Sequence, residues 1–208
     1  MINDGFPLEF ILTKVGAGMT PRGILRFTQN DRNMLAITLA RRDFREYDQT
    51  IVFYTKEQGK IEAVARGIKK ITAKNAAALE PFALLDVEII PGKGVRYIGT
   101  VEVVKAYGDI RTHLDRTLVA QNALATVSTL IVGQEKDERI FRLVTDFLEF
   151  LNTTVPGEMA LDKFVIELVS YLGFAPSAKV RTHADLLGHV RYYTGITVAD
   201  WGSYQKLL

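Results

Sequence analysis

Between Met34 and Tyr107 the chain alternates apolar and polar positions in short bursts, which predicts strands. LAITLAR (35–41) has period two, with Ile37 and Leu39 on one face and Thr38 on the other. RDFREYDQ interrupts it as a polar loop. TIVFYT (50–55) is β-branched and aromatic throughout, the composition of a strand. KEQG (56–59) predicts a turn, with Gly59 suited to positive φ. KIEAVARG (60–67) alternates again and sets Ile61, Ala63 and Ala65 against Glu62, Val64 and Arg66. IKKITAKNAAALEP reads as a long loop with room for a helical turn. FALLDVEIIPGKGVRYIGTVEVVKAY (82–107) predicts two longer strands about a hairpin at Pro91–Gly94.

Five short strands with one long connection predict a small closed barrel. The five-stranded oligonucleotide-binding (OB) barrel is the leading candidate and an SH3-like barrel the alternative. After Asp109 the period becomes helical. Leu114, Leu118, Leu124, Val127, Leu130 and Ile131 recur at spacings of three, four and seven. Ile140, Phe141, Val144, Phe147, Leu148 and Leu151 form a second stripe, which Asp137 and Glu138 are placed to cap. Met159, Phe164, Val165, Leu168, Val169 and Leu172 form a third, with Gly173, Phe174 and Pro176 supplying a stop. A last helix is expected over 184–193, ending at Gly195. The predicted fold is therefore α+β: a barrel over 34–108 and an α-helical domain over 110–208. Residues 1–33 lack a sustained period and are expected to be a partly disordered extension, or to add one strand near 8–15.

Composition narrows the function. The 208 residues are 48% apolar and 24% charged, ordinary for a globular protein. No apolar run reaches a membrane-spanning length. Asp4 and Glu9 stand where a secretory signal would carry cations, so a cytoplasmic protein is expected. Cysteine is absent, which excludes disulfides, thiol catalysis and thiolate-bound zinc. The net charge is only +2, so a polyanion surface must come from uneven placement. Such a placement exists: between 60 and 74, Lys60, Arg66, Lys69, Lys70 and Lys74 face Glu62 alone.

Catalytic signatures do not emerge. There is no GxxxxGK[ST] phosphate loop and no GxSxG elbow. His113, His183 and His189 are scattered and read as surface or packing residues without a metal. The acid pairs Glu46/Asp48 and Asp137/Glu138 read as loop and cap residues. No enzyme activity, metal or cofactor is expected. What remains is a basic and aromatic set on a strand end, a turn and two loops of one barrel: Arg41, Arg42, Arg45, Tyr47, Lys56, Lys60, Arg66, Lys69, Lys70 and Lys74. Cations that track phosphates and rings that stack on bases are what a single strand requires, and Phe44 and Tyr54 are further candidate rings. The competing reading is ordinary surface ion pairing with Asp43, Glu46, Asp48 and Glu57.

Three segments carry a family resemblance. The run Arg41–Lys70, with TKEQGKIEAVARG at Thr55–Gly67, then LEPF at Leu79–Phe82, then LGFAP at Leu172–Pro176, resembles the RecO family of bacterial DNA repair proteins. The resemblance covers about half the chain firmly and the helical half more loosely, through the terminal HVRYYTGITVADW. It implies an N-terminal OB barrel and a non-enzymatic recombination mediator. Such a protein binds single- and double-stranded DNA, anneals strands, works with RecR, engages the tail of single-strand-binding protein and helps load RecA. It also implies a cytoplasmic, nucleoid-associated location. Arg139 and Arg142, three apart on one helix, are candidate contacts for that tail, with solvated surface as the alternative. Two departures stand out. Many members carry a four-cysteine zinc module after the segment matching Gly173–Pro176, whereas this chain passes almost directly to its last helix. The resemblance also begins only near Met34. An adaptor whose barrel has lost DNA binding is the rival class.

Overall fold

A computed structural model describes residues 33–70, 73 and 75–202. The expectations for the extension therefore lie, apart from Asn33, outside the described residues, as does Lys74.

Five strands form a closed barrel: β1 (Asn33–Asp43), β2 (Gln49–Thr55), β3 (Gly59–Ala65), β4 (Ala83–Pro91) and β5 (Arg96–Ala106). The circuit runs β1-β2-β3-β5-β4 and back to β1. Every pair is antiparallel except β3 with β5, which meet in parallel at Val64 and Tyr97. The long β1 closes the circuit. Asn33–Ile37 pair with β4, while Ala36–Asp43 pair with β2 across a register shift between Thr38 and Ala40. A bulge of this kind increases local twist, which a small barrel needs to close. This is the five-stranded OB barrel, and the SH3-like alternative falls away.

Two apolar cores explain the strand sequences. Met34, Ala36, Ile51, Phe53, Ile61, Ala63, Ala65, Leu85, Val87 and Ile89 fill the barrel. Ile37, Leu39, Val52 and Tyr54 point the other way, into a second core shared with the helices. Both faces of β1 and β2 are thus buried. TIVFYT is continuously apolar because both of its faces are covered, the rule for strands sandwiched between layers.

The helices follow as α1 (Gly108–Thr112), α2 (Leu114–Leu130), α3 (Glu138–Thr153), α4 (Ala160–Tyr171) and α5 (His183–Thr194). The second stripe is buried as expected, and so are Phe164, Val165, Leu168 and Val169 of the third, whose end residues Met159 and Leu172 are half-buried. In the first, Leu124, Val127, Leu130 and Ile131 are buried as expected, but its N-terminal members are not: Leu114 is exposed and Leu118 half-buried, and Val119, Ala120 and Ala123 carry the packing there. The small residues Ala120 and Ala123 lie on the buried face of α2, which packs against β1. Asp137 caps α3 by accepting from the Arg139 amide at 2.8 Å. Gly173 ends α4 at φ +90°, with Gly173 N–H donating to Ser170 O and Phe174 N–H to Val169 O, the Schellman pair. Thr182 and Asp185 form a capping box on α5.

The LEPF run links the two cores. Leu79 sits in the barrel core, Glu80 pairs with Arg41, and Phe82 enters the helical core. Phe82 takes φ +67°, a strained conformation for a bulky residue. It is held there by burial of its ring and by its carbonyl, which accepts from the Tyr107 amide. Gly59 marks a second close approach. It takes φ +69°, and a Cβ there would run into the Glu135 carbonyl of the α2–α3 connection. Gly59→Ala is expected to destabilise the fold by at least ~1–2 kcal/mol, the cost of the left-handed conformation alone. Urea denaturation checks this; an unchanged midpoint would refute the close approach.

Candidate nucleic-acid interface

The helices cover the outer face of β1 and β2, so any ligand surface on the barrel must lie elsewhere. The open part comprises the β1–β2 loop (44–48), the turn after β3 (66–70), the β4–β5 hairpin (92–95) and the start of β5. The β1–β2 and β4–β5 loops are usual ligand-facing parts of an OB barrel and stay open here, whereas the outer face of β2, the other usual part with β3, is covered. The first two segments are stitched together. The Lys69 amide donates to Tyr47 O at 3.1 Å, and the Gly67 amide donates to Asp48 Oδ1 at 2.7 Å.

Three cation–ring pairs lie along this edge. The Arg66 guanidinium sits 3.7 Å from the Tyr97 ring centroid, Arg45 5.0 Å from Phe44, and the Lys70 ammonium 5.4 Å from Tyr47. Phe44 and Tyr47 are each 46% exposed, so their faces are reachable. Among the described residues none of the three cations has an acid partner. Beside them a groove of about 580 Å³ runs between Phe44 and the hairpin residues Gly92–Val95. Thr50, Glu62, Arg96 and Gln134 supply its polar atoms. Exposed rings and cations next to an open channel can stack bases and hold phosphates.

The other predicted cations among the described residues are engaged. Arg41 bonds Glu80 and, twice, Gln49 Oε1 (2.9 and 3.2 Å). Arg42 approaches Glu62 at 3.4 Å, and Lys69 pairs with Asp43 at 2.8 Å. Lys69, and then Gln49, hold the Asp43 carboxyl below its ordinary range. Lys56 lies 3.8 Å from Glu138 at the start of α3. Lys60 is placed differently from the expectation: its ammonium donates to Ser128 O (2.5 Å) and Ile131 O (2.9 Å), the free carbonyls at the end of α2. Tyr54 is corrected outright as a stacking ring. It is fully buried, stacks on Phe141, and its hydroxyl meets the Asp137 backbone.

Lys93, Arg96 and Tyr97 were absent from the sequence-derived set. Lys93 is exposed at the hairpin tip between two glycines, a legible signal. Tyr97 had none, because it joins Arg66 through the parallel β3–β5 pairing. Arg139 is tied to Asp137 (2.6 Å) and lies over Tyr171; Asp137 and Tyr171, but not Arg139 itself, line a second hollow of about 430 Å³ together with Leu130, Glu135, Lys136 and Phe174. Arg142 pairs with Glu138 at 2.8 Å, and like Arg139 it does not line the hollow.

The titratable groups show one feature that sequence spacing concealed. His183 bonds Asp162 at 2.9 Å and Asp200 at 3.0 Å, while Trp201 Nε1 donates to the same Asp162 at 2.7 Å. Burial pulls the His183 pKa down, but the hydrogen bonds and charges of Asp200 and Asp162 outweigh it and raise the value above the ordinary 6.5. The Gly202 amide, and then His183, lower Asp200 below the ordinary 3.8. A raised histidine stabilises the fold fully below 6.5 and loses that contribution as pH climbs through its folded value. A lowered carboxyl contributes above 3.8 and loses it as pH falls. This clasp on residues 198–202 is therefore tightest between the two. Asp200→Asn is expected to bring the His183 titration, followed by imidazole NMR, to lower pH; an unmoved titration would exclude the pairing. Among the described residues no group of three or more His, Cys, Asp or Glu is arranged to hold a metal, and no helix is long and apolar enough to cross a membrane.

A family profile described as Recombination protein O N terminal matches residues 32–107, and one described as Recombination protein O C terminal matches 111–188. The chain is 31% identical over 139 residues to a DNA repair protein RecO of Geobacter metallireducens, covering 67% of this chain and 57% of that one. It is 30% identical over 146 residues to the protein of that name from Symbiobacterium thermophilum, covering 70% and 58%. The chain thus spans a little over half the length of these relatives. Carrying both matched regions in order, with the barrel in the first, the chain belongs to the recombination protein O (RecO) family.

Proposed function

We propose that the chain is a non-enzymatic, DNA-binding recombination mediator acting in DNA repair. The observation that carries this reading is the row of three cation–ring pairs beside an open groove, on the part of the barrel that the helices leave uncovered. Arg42, Arg45, Tyr47, Arg66, Lys69, Lys70 and Lys74 hold the strand, and Lys93 and Tyr97 extend the track. Arg41, Lys56 and Lys60 brace the loops and the helical domain. The relatives' name, DNA repair protein RecO, supports the repair role. Annealing follows physically, since a cationic surface lowers the repulsion between two phosphate backbones and raises their local concentration. In this reading the protein anneals strands and helps load RecA onto single strands together with RecR. The single-strand-binding-protein tail docks near Arg139, beside a hollow with both apolar and charged lining; Arg142 contributes from the next turn. The process is cytoplasmic, at the nucleoid.

Fluorescence anisotropy with labelled single- and double-stranded oligonucleotides across a salt series tests the reading. Binding that weakens linearly in log affinity against log salt is expected, and no binding at low salt would refute it. A second reading is a protein adaptor, favoured by the ion pairing of Arg41, Arg42 and Lys69 and by the hollow on the helical domain. The same titration separates them, because an adaptor leaves the oligonucleotide free.

A further inference from the structure

Lys69 is exposed and sits on the turn that bonds the β1–β2 loop through Tyr47 O, one residue from Lys70 and three from Arg66. It lies in line with the cations of the proposed track, yet its ammonium is taken by Asp43 at 2.8 Å. Asp43 is 70% exposed on its side chain and also accepts from Gln49 Nε2 at 3.0 Å. Gln49 in turn accepts from Arg41, which is bonded to Glu80. The acid is thus steered onto the lysine by a chain of side chains. Phosphate and carboxylate oxygens compete for the same donor geometry on a lysine.

We propose that Asp43 occupies the place on Lys69 that a nucleic-acid phosphate would take, so that a strand engages this lysine only by displacing a carboxylate. This rests on the DNA-binding reading above and adds a residue that sets its strength. The carboxylate is held ionised, so it competes at any neutral pH. Arg45, Arg66 and Lys70, which face rings rather than acids, make first contact. Lys69 joins only if the local phosphate outcompetes Asp43. The chain consequently binds more weakly, and with a shallower salt dependence, than its count of cations would give. A mediator that must release strands gains from such a limit.

Asp43→Asn is the direct test, since Asn keeps the bond from Gln49 and removes the charge from an exposed position. The expected result is several-fold tighter binding of a labelled single strand and a salt slope steeper by about 0.7, one additional phosphate contact. Two comparisons isolate the cause. Glu158→Gln, the same change of charge on the helical domain, should leave affinity unchanged. In a Lys69→Met background Asp43→Asn should lose its effect. Equal gains with and without Lys69, or a gain matched by Glu158→Gln, would show a general charge effect and overturn the exchange. Binding by the unaltered chain with no gain in Asp43→Asn overturns the exchange alone. No binding by either protein overturns the DNA-binding reading with it.

Discussion

Reversing Arg45, Arg66 and Lys70 together to Glu is expected to weaken single-strand binding by ~100-fold or more at about 0.1 M salt. The size follows from counterion release. Each phosphate contact on a single strand contributes about 0.7 to the slope of log affinity against log salt, or about fivefold in affinity at tenfold lower salt. Three lost contacts multiply to about a hundredfold and flatten the slope by about 2, before any repulsion from the new acids. These three are chosen because each lies against a ring and, among the described residues, has no acid partner. All three are exposed, so the barrel core is untouched and circular dichroism should be unchanged. Reversing Arg41 and Lys60 instead should chiefly destabilise the protein, because their charges serve Glu80, Gln49 and the end of α2. If affinity and slope survive the triple reversal, the strand binds elsewhere.

The second large effect is expected at Tyr54. Tyr54→Ala should cost about 3–5 kcal/mol, the range for removing a fully buried aromatic ring. Tyr54 is inaccessible to solvent, stacks on Phe141 at 6.5 Å between centroids, and lies on the strand face turned toward the helices. Its hydroxyl accepts from the Asp137 amide (3.2 Å) and donates to the Asp137 carbonyl (3.3 Å). Asp137 is the cap of α3, so one side chain fastens the barrel to the start of the longest stripe in the helical core. Tyr54→Phe keeps the ring and should cost about 1–3 kcal/mol, the penalty for leaving buried backbone groups without a partner. Equilibrium unfolding in urea measures both. A loss below about 1 kcal/mol for Tyr54→Ala would mean that the domains do not depend on this joint.

Tyr54 and Lys60 also show where the chain misleads. On a strand rich in aromatics, Tyr54 has the composition of a base-stacking platform, and Lys60 extends a cationic run. Both are consumed by the helical domain, at Asp137 and at the end of α2. Which strand face meets helices is a property of packing between segments 68 to 83 residues apart, and no local pattern encodes it. Arg66 illustrates the opposite case. Ile61, Ala63 and Ala65 alternate into the barrel, so Arg66 must leave on the other side, and it does.

Local sequence determined the elements: the strands from alternation and, for β2, from β-branched and aromatic composition, the hairpin from Pro91–Gly94, and helix ends from Asp137, Gly173 and Gly195. These depend on backbone sterics and side-chain period, which act within a few residues. It also determined that cations and rings concentrate between Arg41 and Lys74. Tertiary structure alone decided which of them remain available. The parallel closure of β3 on β5 set Tyr97 under Arg66, the network from Glu80 to Asp43 claimed Lys69, and the helices covered Tyr54. Charge pairing and burial depend on distances of a few ångströms between remote segments, and the chain fixes those distances only once the barrel has closed and the helices have docked on it.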